Sequence, residues 1–143
     1  MKPEITKAAL GGIAGTIVMT MMMMFVAPMM TGMPMDIAAM LGGMLGGYTV
    51  GMIAHIMMGV VIFPLIYVFI YTNLPGSPIV RGLIWGVVLW LAAVVIVMPM
   101  AGAGFLLSNI GGMMAVMAAL LGHLVYGGLL GAIAGSGETA AHA

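Results

Sequence analysis

GGMMAVMAALLGHLVYGGLLGAIAG, residues 111–135, is the stretch from which the rest of the chain can be read. Every fourth residue in it is small or a histidine: Gly111, Ala115, Ala119, His123, Gly127, Gly131 and Gly135. A spacing of four keeps residues on one helix face, so the stretch predicts a helix with a narrow groove along one side and an imidazole at its centre. An earlier stretch repeats the device: Gly43, Gly47, Gly51, His55 and Gly59 also stand four apart and share the His-x3-Gly core. Together with Gly127, Gly131 and Gly135, these glycines are read as helix-packing positions, where a missing side chain lets two backbones approach.

Composition settles the solvent. With 64% hydrophobic residues, 4% charged residues and a mean hydropathy of +1.32, no aqueous fold could hide so much apolar surface, and the chain reads as a membrane protein. It has 20 methionines and no cysteine, which removes disulfides, thiolate metal sites and cysteine nucleophiles. A formal net charge of zero gives no reason to expect nucleic acid as a partner.

A short polar lead, residues 1–7, precedes an uncharged run over 8–30. At 1.5 Å per residue that run covers roughly 34 Å, enough for a hydrocarbon layer of ~30 Å. Lys2 and Lys7 flank it as they would a signal peptide, but the run is longer than such a core and further spans follow, so it is read as uncleaved. Residues 31–47 are apolar but too short to cross; Asp36 follows Pro34 there and predicts the cap of a short half-helix over about 35–46. A second span is expected over 49–72, closing on an aromatic belt of Tyr67, Phe69 and Tyr71. NLPGSPIV, residues 73–80, is a Pro/Gly turn and the best hairpin boundary. Spans three and four follow over 82–105 and 113–134, and a small polar tail containing His142 reads as solvated. With four spans, Lys2, Lys7 and Arg81 fall on one side, which the positive-inside rule makes cytoplasmic; both termini then lie inside and Asp36 outside.

The two halves match as a tandem repeat. Gly11, Gly15 and Pro28 correspond to Gly82, Gly86 and Pro99 at an offset of 71, and His55 with Gly59 to His123 with Gly127 at 68. Two hairpins of two spans each insert the same way up, the parallel kind of internal repeat. The fold class expected is therefore all-α: an integral membrane protein with four transmembrane helices in two tandem parallel helical hairpins, plus the half-helix. The repeat places His55 and His123 in one layer toward the outer side, turned to the protein interior because imidazole in hydrocarbon is costly.

Three readings of that pair stand side by side. In the first each imidazole, neutral in this setting, donates to a carbonyl across a tight helix contact. The second makes His55 and His123 the axial ligands of a haem b, with the glycines leaving room for the porphyrin. The third is an outward-facing Cu(I) site, in which Met29 and Met100, at equivalent places in the repeat, add thioethers to the imidazoles. Methionine is also an ordinary gap-filling residue, and Met21 to Met24 point all round a helix, so the run by itself selects none of these.

Catalytic machinery is sparse. Asp36 is a single outer carboxylate, which a helix cap accounts for, no phosphate-binding loop follows a strand, and no H-E-x-x-H spacing occurs. A minimal transporter built from parallel repeats would need more polar groups along the spans than these carry.

Between Pro34 and Gly135, the order PMDIAAMLGGMLG, His55 with Gly59, LPGSP, RGLIWG, MPMAGAGF and GHLVYGGLLGAIAG resembles a family of small four-span bacterial membrane proteins with no established reaction. The resemblance implies a prokaryotic inner-membrane protein associated with respiratory complexes, and it assigns no ligand at His55 or His123. The expectation is thus a small accessory or scaffold subunit of a larger membrane complex, whose partners are lipid and other subunits or copies of itself. The alternative is a haem b or Cu(I)-binding protein using His55 and His123.

Overall fold

The structure is a computed structural model and describes residues 1–137. Its regular elements are all helical, and four of them are long and apolar enough to cross a membrane: α1 (Ile5–Thr31), α3 (Tyr48–Asn73), α4 (Pro78–Met100) and α5 (Met113–Ala134). A short helix, α2 (Ile37–Leu45), stands between α1 and α3. The third span therefore begins four residues earlier than the sequence suggested and ends five earlier, because Ser77 caps it, Pro78 opens it, and glycines 102 and 104 turn the chain at positive φ beyond Met100. The polar tail with His142 falls outside the described residues.

Helix α5 lies at the centre. It packs along both α1 and α4, while α3 packs on α1 and carries α2, giving the order α3, α1, α5, α4 across the bundle. Glycine makes these contacts close. On α4 and α5 the two small-residue stripes meet backbone to backbone: a Cβ on Gly82 would stand 2.8 Å from Gly131 Cα, and one on Gly127 would stand 2.9 Å from Gly86 Cα. On α1 two adjacent glycines serve two neighbours. Gly11 faces Leu130 of α5, whose Cα would lie 3.0 Å from an added Cβ, whereas Gly12 faces Gly59, Val60 and Pro64 of α3.

The earlier stripe is not one helix face. Gly46 and Gly47 adopt φ of 101° and 148° and break the chain between α2 and α3, so Gly43 is separated from Gly51, while Gly47 caps α3 and accepts from Gly51 N–H at 3.0 Å. An added Cβ meets nothing within 4 Å at Gly43, which corrects its reading as a packing position within this chain; Gly47 too has open space there, but its backbone lies against Gly42, where an added Cβ would stand 2.7 Å from Gly47 O. Gly51 does pack, against Ala38 and Gly42 of α2, as do Gly59 against Thr16 and Gly135 against Pro78.

Three of the four spans carry a widened π turn: Met22–Val26, Met58–Ile62 and Ala93–Val97. Each lies just before a proline, Pro28, Pro64 or Pro99, which has no N–H to donate and whose ring crowds the preceding turn. The first and third π turns stand at the same offset of 71 as the prolines, so the repeat seen in sequence extends to the local backbone.

In a π turn the Ala27 N–H reaches back to Met22 O, and Phe63 N–H to Met58 O. The next carbonyls, Met23 O and Gly59 O, would need Pro28 and Pro64 as donors, and so are free for partners outside their helix. Met23 O accepts from Met35 N–H at 3.0 Å. After Thr31 the chain thus folds back to the depth of Met23, and α2 then returns along α3, capped by Asp36, whose carboxylate accepts from Ala39 N–H at 2.9 Å. Gly59 O accepts from Tyr126 Oη of α5 at 2.5 Å, tying the first hairpin to the second. The parallel relation of the hairpins is broken at one edge: α1 packs on α5, but α3 and α4, its counterparts, flank a cavity.

Candidate functional site

That cavity, of about 230 Å³, lies at the middle of the bundle. His55 and Met58 of α3, Leu89 and Ala93 of α4, His123 and Tyr126 of α5, and Thr16 and Met19 of α1 line it, together with Ile37 and Leu41 of α2. Both histidines expected from the sequence therefore reach one space, and each is only 8% exposed. Counted from the end that carries α2, His55 is the eighth of the 26 residues of α3 and His123 the eleventh of the 22 of α5, so His55 lies in the outer third and His123 just short of mid-span.

Hydrogen bonding assigns the two rings opposite tautomers. Thr20 donates its hydroxyl to Thr16 O at 2.6 Å, so its oxygen accepts from His55 Nε2–H at 2.9 Å, and the lone pair of His55 is on Nδ1. His123 Nδ1–H donates to Ala119 O at 2.7 Å, one turn back on its own helix, leaving the lone pair on Nε2. Among the described residues the buried side-chain polar atoms without a partner are Thr16 Oγ1 and Trp85 Nε1. Neither free imidazole nitrogen is among them, so both keep accessible surface. Each ring thus holds one nitrogen fixed and offers the other as an acceptor, the arrangement that orients a ligating or hydrogen-bonding histidine.

The methionines chosen from the repeat do not join this site. Met29 is 85% exposed and Met100 68% exposed, both outside the cavity, because each is one residue past its proline on the outward face of its helix. Met19, Met58 and Met98 line it instead. Composition alone would put about two methionines among fifteen such positions, against three observed, so the thioethers carry little weight. Among the described residues no group of three or more His, Cys, Asp or Glu could hold a metal ion. For the haem reading, His55 Nε2 is engaged by Thr20, so the ring nitrogen left for an axial bond is Nδ1.

Sequence reasoning passed over Thr16, Thr20 and Tyr126. The signals were present: two threonines four apart in an uncharged span face one neighbour, and a tyrosine at mid-span, away from the interfacial belt, needs a partner for its hydroxyl. The carbonyl it finds, Gly59 O, lies five residues before Pro64.

Fold and site together define a four-span membrane protein with two buried imidazoles on one cavity. Within that class, the chain belongs to the Family of unknown function (DUF6789), which matches residues 3–142. No curated protein and no solved structure matches it.

Proposed function

We propose that this chain is a small accessory subunit of a larger membrane assembly, and that it contributes the two-histidine cavity to that assembly. One observation carries the reading: the two rings, from different hairpins, each fix one nitrogen internally, and both line one shared, otherwise apolar space. Packing alone does not require this, since a ring that only bridges helices need not face a shared space inside the membrane, where unpaired polar groups are costly.

The accessory role is supported by surface. Half of the apolar window of α5 is buried, but only 33% of that of α1 and 28% of those of α3 and α4. Their outward faces are Ile, Val, Phe and Met, suited to lipid or to the apolar faces of neighbouring spans. Lys2 lies over the Phe69 ring at 5.6 Å, and Arg81 lies over Tyr71 at 4.5 Å and donates to Leu74 O at 2.9 Å. The basic residues therefore gather at one end, and we assign that end to the cytoplasm of a prokaryotic inner membrane. Respiratory electron transfer is the setting that the family resemblance suggests.

Extraction from native membranes into polymer-bounded lipid discs tests the accessory role. A species much heavier than the 14.7 kDa chain, containing other membrane subunits, is the expected result. Recovery as a lone chain would refute it.

A further inference from the structure

We propose that the cavity binds a lipid-soluble hydroquinone: a six-membered aromatic ring carrying two hydroxyl donors, which enters sideways from the bilayer between α3 and α4. This binding rests on the two-histidine reading above, but not on the accessory role.

The sign of the hydrogen-bonding groups selects the ligand. His55 Nδ1 and His123 Nε2 are acceptors, and among the described residues no donor meets them. The Tyr126 hydroxyl is already committed to Gly59 O, and the Thr16 hydroxyl, though without a partner, is fully buried and not open to the cavity. A ligand must therefore bring donors, and two of them. The oxidised quinone, with carbonyls only, would set acceptor against acceptor, so the reduced form is preferred.

Size and polarity narrow the class further. Phe63, Leu89 and Val97 typify the rest of the lining, so a charged or strongly hydrated molecule would lose its water without replacement. An apolar cavity of roughly 150 Å³ holds benzene. The space of about 230 Å³ here suits one substituted ring.

Access completes the match. Helices α3 and α4 do not pack closely along their length, and Ala92 of α4 both lines the cavity and is exposed on the bundle surface. A ligand tail can trail there into lipid while the ring lies between the imidazoles. Ile37 and Leu41 of α2 add two further apolar side chains to the lining.

The test is titration of the full chain in lipid nanodiscs, under anaerobic conditions, with a short-tailed hydroquinone, its quinone and its dimethyl ether. Binding is read by calorimetry and by the ¹⁵N signals of the imidazoles. The hydroquinone should bind one per chain, at least about tenfold tighter than either analogue, because only it can donate to both rings. Ala92→Trp, at the mouth and away from both histidines, should weaken binding at least tenfold while helicity and thermal stability stay at wild-type values. Equal binding of hydroquinone and ether, or an unaffected Ala92→Trp, would overturn the proposal. If Cu(I) shifts both free nitrogens and hydroquinone shifts neither, the two-histidine site stands and the hydroquinone is wrong. If neither probe moves either ring, both fall.

Discussion

A neutral imidazole has one donor and one acceptor, and whichever nitrogen finds a fixed partner decides where the other faces. His55 is held through Nε2 by Thr20, and His123 through Nδ1 by Ala119 O. The ¹⁵N spectrum of histidine-labelled protein in bilayers should accordingly show His55 as the Nε2–H tautomer and His123 as the Nδ1–H tautomer; matching tautomers would contradict the assigned bonds. Thr20→Val removes the acceptor of His55 and should lower stability by about 0.5–1.5 kcal/mol, the usual worth of a hydrogen bond between membrane helices, measured by unfolding in mixed micelles. At this scale the sequence was partly legible. A histidine inside an apolar span identifies itself by cost, and both reached the interior. Met29 and Met100 did not, since equivalent places in a repeat do not fix which way a side chain faces past a proline kink.

Between helices, backbone groups decide the contacts. The Gly59 carbonyl is free because Pro64 has no N–H, and Tyr126 supplies the donor from α5. Tyr126→Phe should cost about 1 kcal/mol in the wild-type background and less in Pro64→Ala, where a helix donor returns; a double-mutant cycle with no coupling would reject the link between kink and tyrosine. Gly127→Leu should cost about 3 kcal/mol or more, because the new side chain meets the backbone of Gly82 and Gly86, whereas Gly43→Leu should be nearly silent in the isolated chain. Equal thermal stability of the two variants would show that the α4–α5 contact is not made as described. The prolines were legible as kinks and the spacing of four as a stripe. The break at Gly46 and Gly47 was not, because a run of small apolar residues continues a helical pattern as readily as it ends one, and only the positive φ values distinguish them.

Whole-molecule architecture follows from which helix faces find partners. The four spans were legible from hydropathy and length, and the all-helical class with them. The order of helices was not, since Gly11 and Gly12 look alike in sequence yet face α5 and α3 respectively. The open α3–α4 edge was hidden for the same reason: a repeat predicts that the second pair of counterparts will pack as the first does, and here a cavity takes that place. With the basic residues gathered at one end, reporter fusions at either terminus should report the cytoplasm, and a periplasmic C-terminus would overturn that orientation. The central claim is that one cavity, walled by all four spans, holds both imidazoles. Ala93 of α4 lines it without belonging to either histidine's helix, so the direct measurement is the ¹⁵N imidazole spectrum of Ala93→Phe in bilayers. A shift of both the His55 and His123 signals, with helicity unchanged, is the result expected. Movement of only one ring, or of neither, would show that the two histidines do not share a site.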